Sequence, residues 1–98
     1  MIAPTGFIAV KRGVIEALAT GRYQFEARRE ISVKNLLATG EVSAAALVAA
    51  LRRCTGSDHA SSPHHRVPGI VVHVIKAGGW YLKFYFLEPE TWFISVHK

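Results

Sequence analysis

The chain of 98 residues has one cysteine, Cys54, so no internal disulfide can form. A fold without crosslinks fits a reducing compartment. Long apolar runs are also missing. No segment approaches the roughly 20 apolar residues needed to cross a bilayer. The opening residues, MIAPTGFIAVKRG, lack the basic start and long apolar run of a secretory signal. These absences predict a cytoplasmic protein with no membrane partner.

Acidic residues are scarce. Seven Asp and Glu stand against twelve Lys and Arg, a net charge of +5 before any of the five His is protonated. That surplus favours anionic partners: nucleic acid, anionic lipid or an acidic protein. With 50% hydrophobic and only 19% charged residues, global disorder is excluded. The length suits one domain, residues 1–98, with a modest core. No Walker loop, GxGxxG, HExxH or GxSxG is present, so nothing points to nucleotide-cofactor chemistry or serine hydrolysis. Asp58, His59, His64, His65 and Cys54 carry ligating atoms, but at no recognised metal spacing. Neither metal nor cofactor is expected.

The hydrophobic pattern predicts helices first and strands last. Phe7, Val10, Val14, Ala17 and Leu18 recur at helical spacing over 7–20, with Gly21 as the stop. RYQFE (22–26) alternates as a short edge strand would. A second helix is expected over 28–39, ended by Gly40. A third is expected over 44–54, with Ser43 as its N-cap and Gly56 as its end. Residues 55–68, TGSDHASSPHHRVP, read as a loop. The remainder, GIVVHVIKAGGWYLKFYFLEPETWFISVHK, reads as three strands and two tight turns. The expected fold is α+β: three N-terminal helices packed on one face of a C-terminal antiparallel sheet.

Strand alternation then makes a specific prediction. In 80–87, Trp80, Leu82, Phe84 and Phe86 point one way, and Tyr81, Lys83, Tyr85 and Leu87 the other. In the last strand, Trp92, Ile94 and Val96 oppose Phe93, Ser95 and His97. A three-residue loop, Glu88-Pro89-Glu90, would align the apolar sets on the core side. Tyr85 then faces Phe93, Lys83 faces Ser95 and Tyr81 faces His97, with opposed Cβ atoms roughly 5 Å apart. The first turn has two solutions. A two-residue Gly78-Gly79 turn sets Lys76 opposite Tyr81 and turns His73 toward the core. A three-residue loop, Ala77–Gly79, brings His73 to the outer face opposite Lys83. Either way one further cation joins that face.

These residue types suit cleavage of RNA, whose own 2′-OH is the nucleophile. Histidine serves as acid or base near neutrality. Lysine and arginine stabilise a charged phosphorane, and tyrosine donates a hydrogen bond or stacks on a base. The predicted catalytic residues are Tyr81 and His97, with His64 and His65 closing over them from the loop. The predicted RNA contacts are Arg66, His73, Lys76, Lys83, Tyr85 and Lys98.

The stretch GGWYLKFYF, followed by a hairpin and FISVHK, resembles the MqsR family of messenger-RNA-cleaving toxins, part of the wider RelE-type superfamily. The resemblance is collinear over the chain and specific around Tyr81-Leu82-Lys83. It implies a RelE-like fold and a metal-independent endoribonuclease, dependent on or independent of the ribosome, neutralised by a cognate antitoxin protein. The family's active-site tyrosine matches Tyr81. Its C-terminal lysine falls at His97, with Lys98 adjacent. Its further lysine and glutamine have no counterpart; the corresponding region carries His59, His64, His65 and His73.

Two other readings compete. Residues 28–54 could form the helix-turn-helix of a winged-helix DNA-binding regulator, although 44–50 offers almost no base-reading side chains. A non-catalytic protein-interaction module would instead dock through the aromatic face or an edge strand.

Overall fold

The computed structural model describes residues 6–26 and 35–98. Helix α1 spans Phe7–Thr20 and buries Val10, Val14, Ala17 and Leu18, the stripe that the helical spacing predicts. Gly21 ends it in the left-handed conformation (φ 78°), where a side chain would be strained. Strand β1, Tyr23–Phe25, follows at once. Helix α2, Ala44–Leu51, starts at Ser43, whose Oγ accepts from the Ala46 N–H at 3.1 Å. It stops three residues before Cys54, because Arg53 and Cys54 bond back to Ala50 and Leu51 in a tighter turn. A 3₁₀ turn, Gly56–Asp58, leads into β2, His59–Pro63. Strands β3 (Val71–Ala77), β4 (Trp80–Leu87) and β5 (Glu90–His97) complete the chain.

The fold is α+β. The sheet is five-stranded and mixed, in the order β1-β5-β4-β3-β2, with β1 parallel to β5 and the other pairs antiparallel. None of the described helices is long and apolar enough to cross a membrane. Two expectations are corrected. The helix over 28–39 lies mostly outside the described residues; its last part is a single bridge at Asn35 to Val96, then a turn over 36–40. The loop over 55–68 contains β2, an edge strand of small polar residues that pairs with β3 from His59↔Ile75 to Pro63↔Val71.

Both helices cover one sheet face. Val10, Val14, Leu18, Leu47 and Leu51 pack there with Ile75, Leu82, Phe84, Phe93 and Val96. Removing that apolar area from water is the main stabilising term. Lys11 Nζ also donates to the Arg52 and Cys54 carbonyls at 3.0 Å each, placing a cation against the carbonyl end of α2.

Candidate functional site on the outer sheet face

The site follows from two turns and one bulge. Gly78 (φ 57°) and Gly79 (φ 83°) make the two-residue turn, pairing Ala77 with Trp80 and Lys76 with Tyr81. Positive φ at both central residues suits such a hairpin turn and is cheap only for glycine. The second turn is also two residues long, with Leu87 opposite Glu90, rather than the three predicted. Phe84 therefore meets Phe93 and Tyr85 meets Trp92. A β-bulge between Lys83 and Phe84 then absorbs Ile94 as an extra residue. Beyond it, Lys83 meets Ser95 and Tyr81 meets His97, as predicted.

The bulge corrects the predicted faces of β5. Phe93 joins the core, while Trp92 and Ile94 join Tyr85 and Val72 in a second apolar cluster on the other face. Both sets can be buried because the extra residue shifts the alternation by one position midway along the strand.

Cross-strand partners share a face, so two rows define the open end: Lys76–Tyr81–His97 and Val74–Lys83–Ser95. The Tyr81 and His97 rings stack with centroids 4.7 Å apart and planes 18° from parallel. His97 Nδ1 donates to the Lys98 carbonyl oxygen at 3.0 Å; a carbonyl only accepts, so in the neutral ring Nε2 carries a lone pair. Lys98 Nζ lies over the Trp80 ring, 5.1 Å from its centroid, a cation–π contact. Lys76, Lys83, His97 and Lys98 thus gather at one end of the hairpin. Its acids, Glu88 and Glu90, sit at the other, roughly 20 Å along the strands.

The remaining predicted residues lie elsewhere. His64 is 8% exposed and its ring packs edge-on against Tyr85 at 5.1 Å. Its Nδ1 accepts from the Arg66 and Val67 N–H groups at 3.0 and 3.2 Å. Nε2 therefore carries the proton and donates to Glu26 Oε1 at 3.0 Å. The Tyr85 hydroxyl donates to the same oxygen at 3.4 Å. Tyr85 is only 6% exposed and lies parallel to Trp92 at 6.4 Å. His64 thus pins the 64–70 loop over Tyr85, four residues and roughly 13 Å along β4 from Tyr81. The predicted closure of His64 over Tyr81 and His97 is replaced by this anchor. The exposed His65 and Arg66 follow it in the loop. Tyr85 is covered and leaves the RNA-facing set.

His73 is also corrected. The two-residue turn directs it to the helix side, where it is 2% exposed beside Phe84 and Phe86. Lys76 is therefore the cation on the outer face. Burial, and secondarily the charge of His59, lowers the His73 pKa to about 4; the apolar surroundings disfavour the imidazolium. Asp58 is committed to the 3₁₀ turn: its Oδ2 accepts from the Thr55 N–H at 2.8 Å. Sequence reasoning missed Glu26, Trp80 and Trp92. Glu26 directly follows the edge strand β1, and no local signal marks it as the partner of a histidine 38 residues away.

The chain matches no protein-family model, no curated protein and no solved structure.

Proposed function

We propose that the protein is a metal-independent endoribonuclease acting on messenger RNA, the toxin component of a toxin–antitoxin pair. The observation that carries this reading is the stacked Tyr81–His97 pair on an open sheet face beside Lys76 and Lys83, with Lys98 at the same strand end over Trp80. The resemblance around Tyr81-Leu82-Lys83 supplies the substrate class, and the +5 charge suits a polyanion. The RelE-like relationship and a cytoplasmic location belong to the same proposal, as do a cognate antitoxin and the ribosome as partners.

In this mechanism His97 Nε2 takes the proton of a 2′-OH. The 2′-oxygen attacks the adjacent phosphorus, and the bond from phosphorus to the 5′-oxygen breaks. The products are a 2′,3′-cyclic phosphate and a 5′-hydroxyl. Tyr81 donates its phenolic proton to the departing 5′-oxygen, a far stronger base than phenolate. Lys83 and Lys76 stabilise the phosphorane's negative charge. Lys98 and Arg66 contact the RNA backbone.

The test uses purified protein and a messenger-RNA fragment with a chelator present. Tyr81→Phe and His97→Ala should each slow cleavage by about 10²-fold or more, the usual share of one positioned acid or base. Unchanged cleavage in both variants overturns the assignment. The winged-helix reading finds little to stand on, because the exposed residues of α2 are Ala45, Ala46 and Ala49, none of which can read a base edge.

A further inference from the structure

We propose that His59 and His73 form a two-histidine binding site for a divalent transition-metal ion of the zinc, nickel or copper type, on the helix side of the sheet. The site is separate from the Tyr81–His97 face and does not depend on the function proposed for it.

The register creates the pair. His59 lies opposite Ile75, and Ser61 opposite His73. His59 and His73 are therefore diagonal neighbours on one face, within reach for long side chains. Their rings lie 29° from parallel with centroids 5.2 Å apart, and His59 Nε2 is 3.1 Å from His73 Nδ1. Two imidazole nitrogens bound at about 2.0–2.1 Å to one ion, at angles between square and tetrahedral, stand about 2.9–3.4 Å apart. The spacing already present falls within that window.

Without metal, one ring nitrogen must donate to the other, because two facing lone pairs repel. A metal ion replaces that proton and accepts both lone pairs. The displaced proton moves to the far nitrogen of its own ring, so a neutral pair loses none. Neutral imidazole is the ligand form. Phe84 and Phe86 wall His73, and Phe7 lies 5.9 Å from the His59 ring. These apolar sides hold the rings in place, and half-exposed His59 offers an entrance. Among the described residues no third ligating side chain completes a cluster, so water fills the remaining positions.

The experiment titrates chelator-stripped protein with ZnCl₂, followed by calorimetry and by imidazole ¹⁵N resonances. The expected result is one site, with shifts at His59 Nε2 and His73 Nδ1. His59→Gln should weaken binding by at least about tenfold, the loss that even an outer-sphere partner of a ligand can cause. Because His59 is half-exposed, that variant should fold; His73→Gln serves as a second variant wherever its circular dichroism matches the parent. His65→Gln should bind as the parent does. Three outcomes overturn the proposal: no binding with ZnCl₂ in excess, equal binding by His59→Gln, or loss confined to His65→Gln. RNA cleavage persisting in chelator leaves this site intact, and failure of zinc binding leaves the nuclease reading intact.

Discussion

The outer sheet face has two ends built from the same alternation but with different surroundings. At one end, Tyr81 stacks on His97 among lysines and is half-exposed. At the other, Tyr85 stacks on Trp92 and is nearly buried beneath His64. Both tyrosines lie on β4 with side chains on the same side. What separates them is the 64–70 loop and the Ile94 bulge, which supply a lid and an extra apolar residue at one end only. A pleated strand can present chemically similar groups at regular spacing, but the segment that crosses the face decides which of them a ligand can reach.

The sharpest way to break this comparison is to change each end and read both activity and stability. His97→Ala and Tyr81→Phe should lower RNA cleavage by about 10²- to 10⁴-fold while moving the urea midpoint little, since both positions are half-exposed. A large stability loss with intact cleavage would make the open end structural. Ile94→Ala, at the covered end, should do the reverse. It removes a side chain only 2% exposed, and chemical denaturation should register a loss of about 2–5 kcal/mol.

The core side supplies a third contrast, through pH. His73 has a folded pKa of about 4 against an ordinary 6.5, so the fold favours its neutral form. The stabilisation is present in full above about pH 6.5 and is lost as pH falls toward 4. The groups facing His73 are His59 on β2 and the Phe84 and Phe86 rings on β4; no carboxylate is among these contacts to stabilise the cation. In chelator, stability should drop by at most about 3 kcal/mol across that window, and His73→Phe should flatten the profile. A profile unchanged in that variant would place the acid sensitivity elsewhere. The smallest effect is expected at the loop anchor. Glu26→Ala removes the oxygen that accepts from His64 and Tyr85. It should cost about 1–2 kcal/mol and speed tryptic cleavage after Arg66 more than cleavage elsewhere.

Much of this was legible in the chain. The α1 stripe, Gly21, the Ser43 cap and the strand at 23–25 each rest on a few neighbouring residues, and local rules suffice for them. Strand β2 escaped because Ala60, Ser61 and Ser62 show no apolar alternation; an edge strand of small polar residues carries the same signal as a loop. The Tyr81–His97 pairing was reached by a three-residue turn, whereas the molecule uses a two-residue turn and compensates with the bulge. The two one-residue differences cancel beyond Ile94 and not before it, which is why Phe93 and Trp92 exchange faces while Ser95 and His97 do not.

By itself, the sequence determined the residue types on β4 and β5, their two-residue alternation and the excess of cations at the Gly78-Gly79 end, because these depend on covalent order and strand geometry alone. Tertiary structure decided three things. Two glycines at positive φ shortened the first turn, sending Lys76 to the outer face and His73 inward. The Glu26–His64 hydrogen bond, across 38 residues, brought the loop over Tyr85 and left Tyr81 open. Pairing of β2 with β3 then set His59 against His73. The turn is local, but the choice between its two allowed lengths went with what the core buries; the other two are contacts between segments apart along the chain, and no local pattern records them.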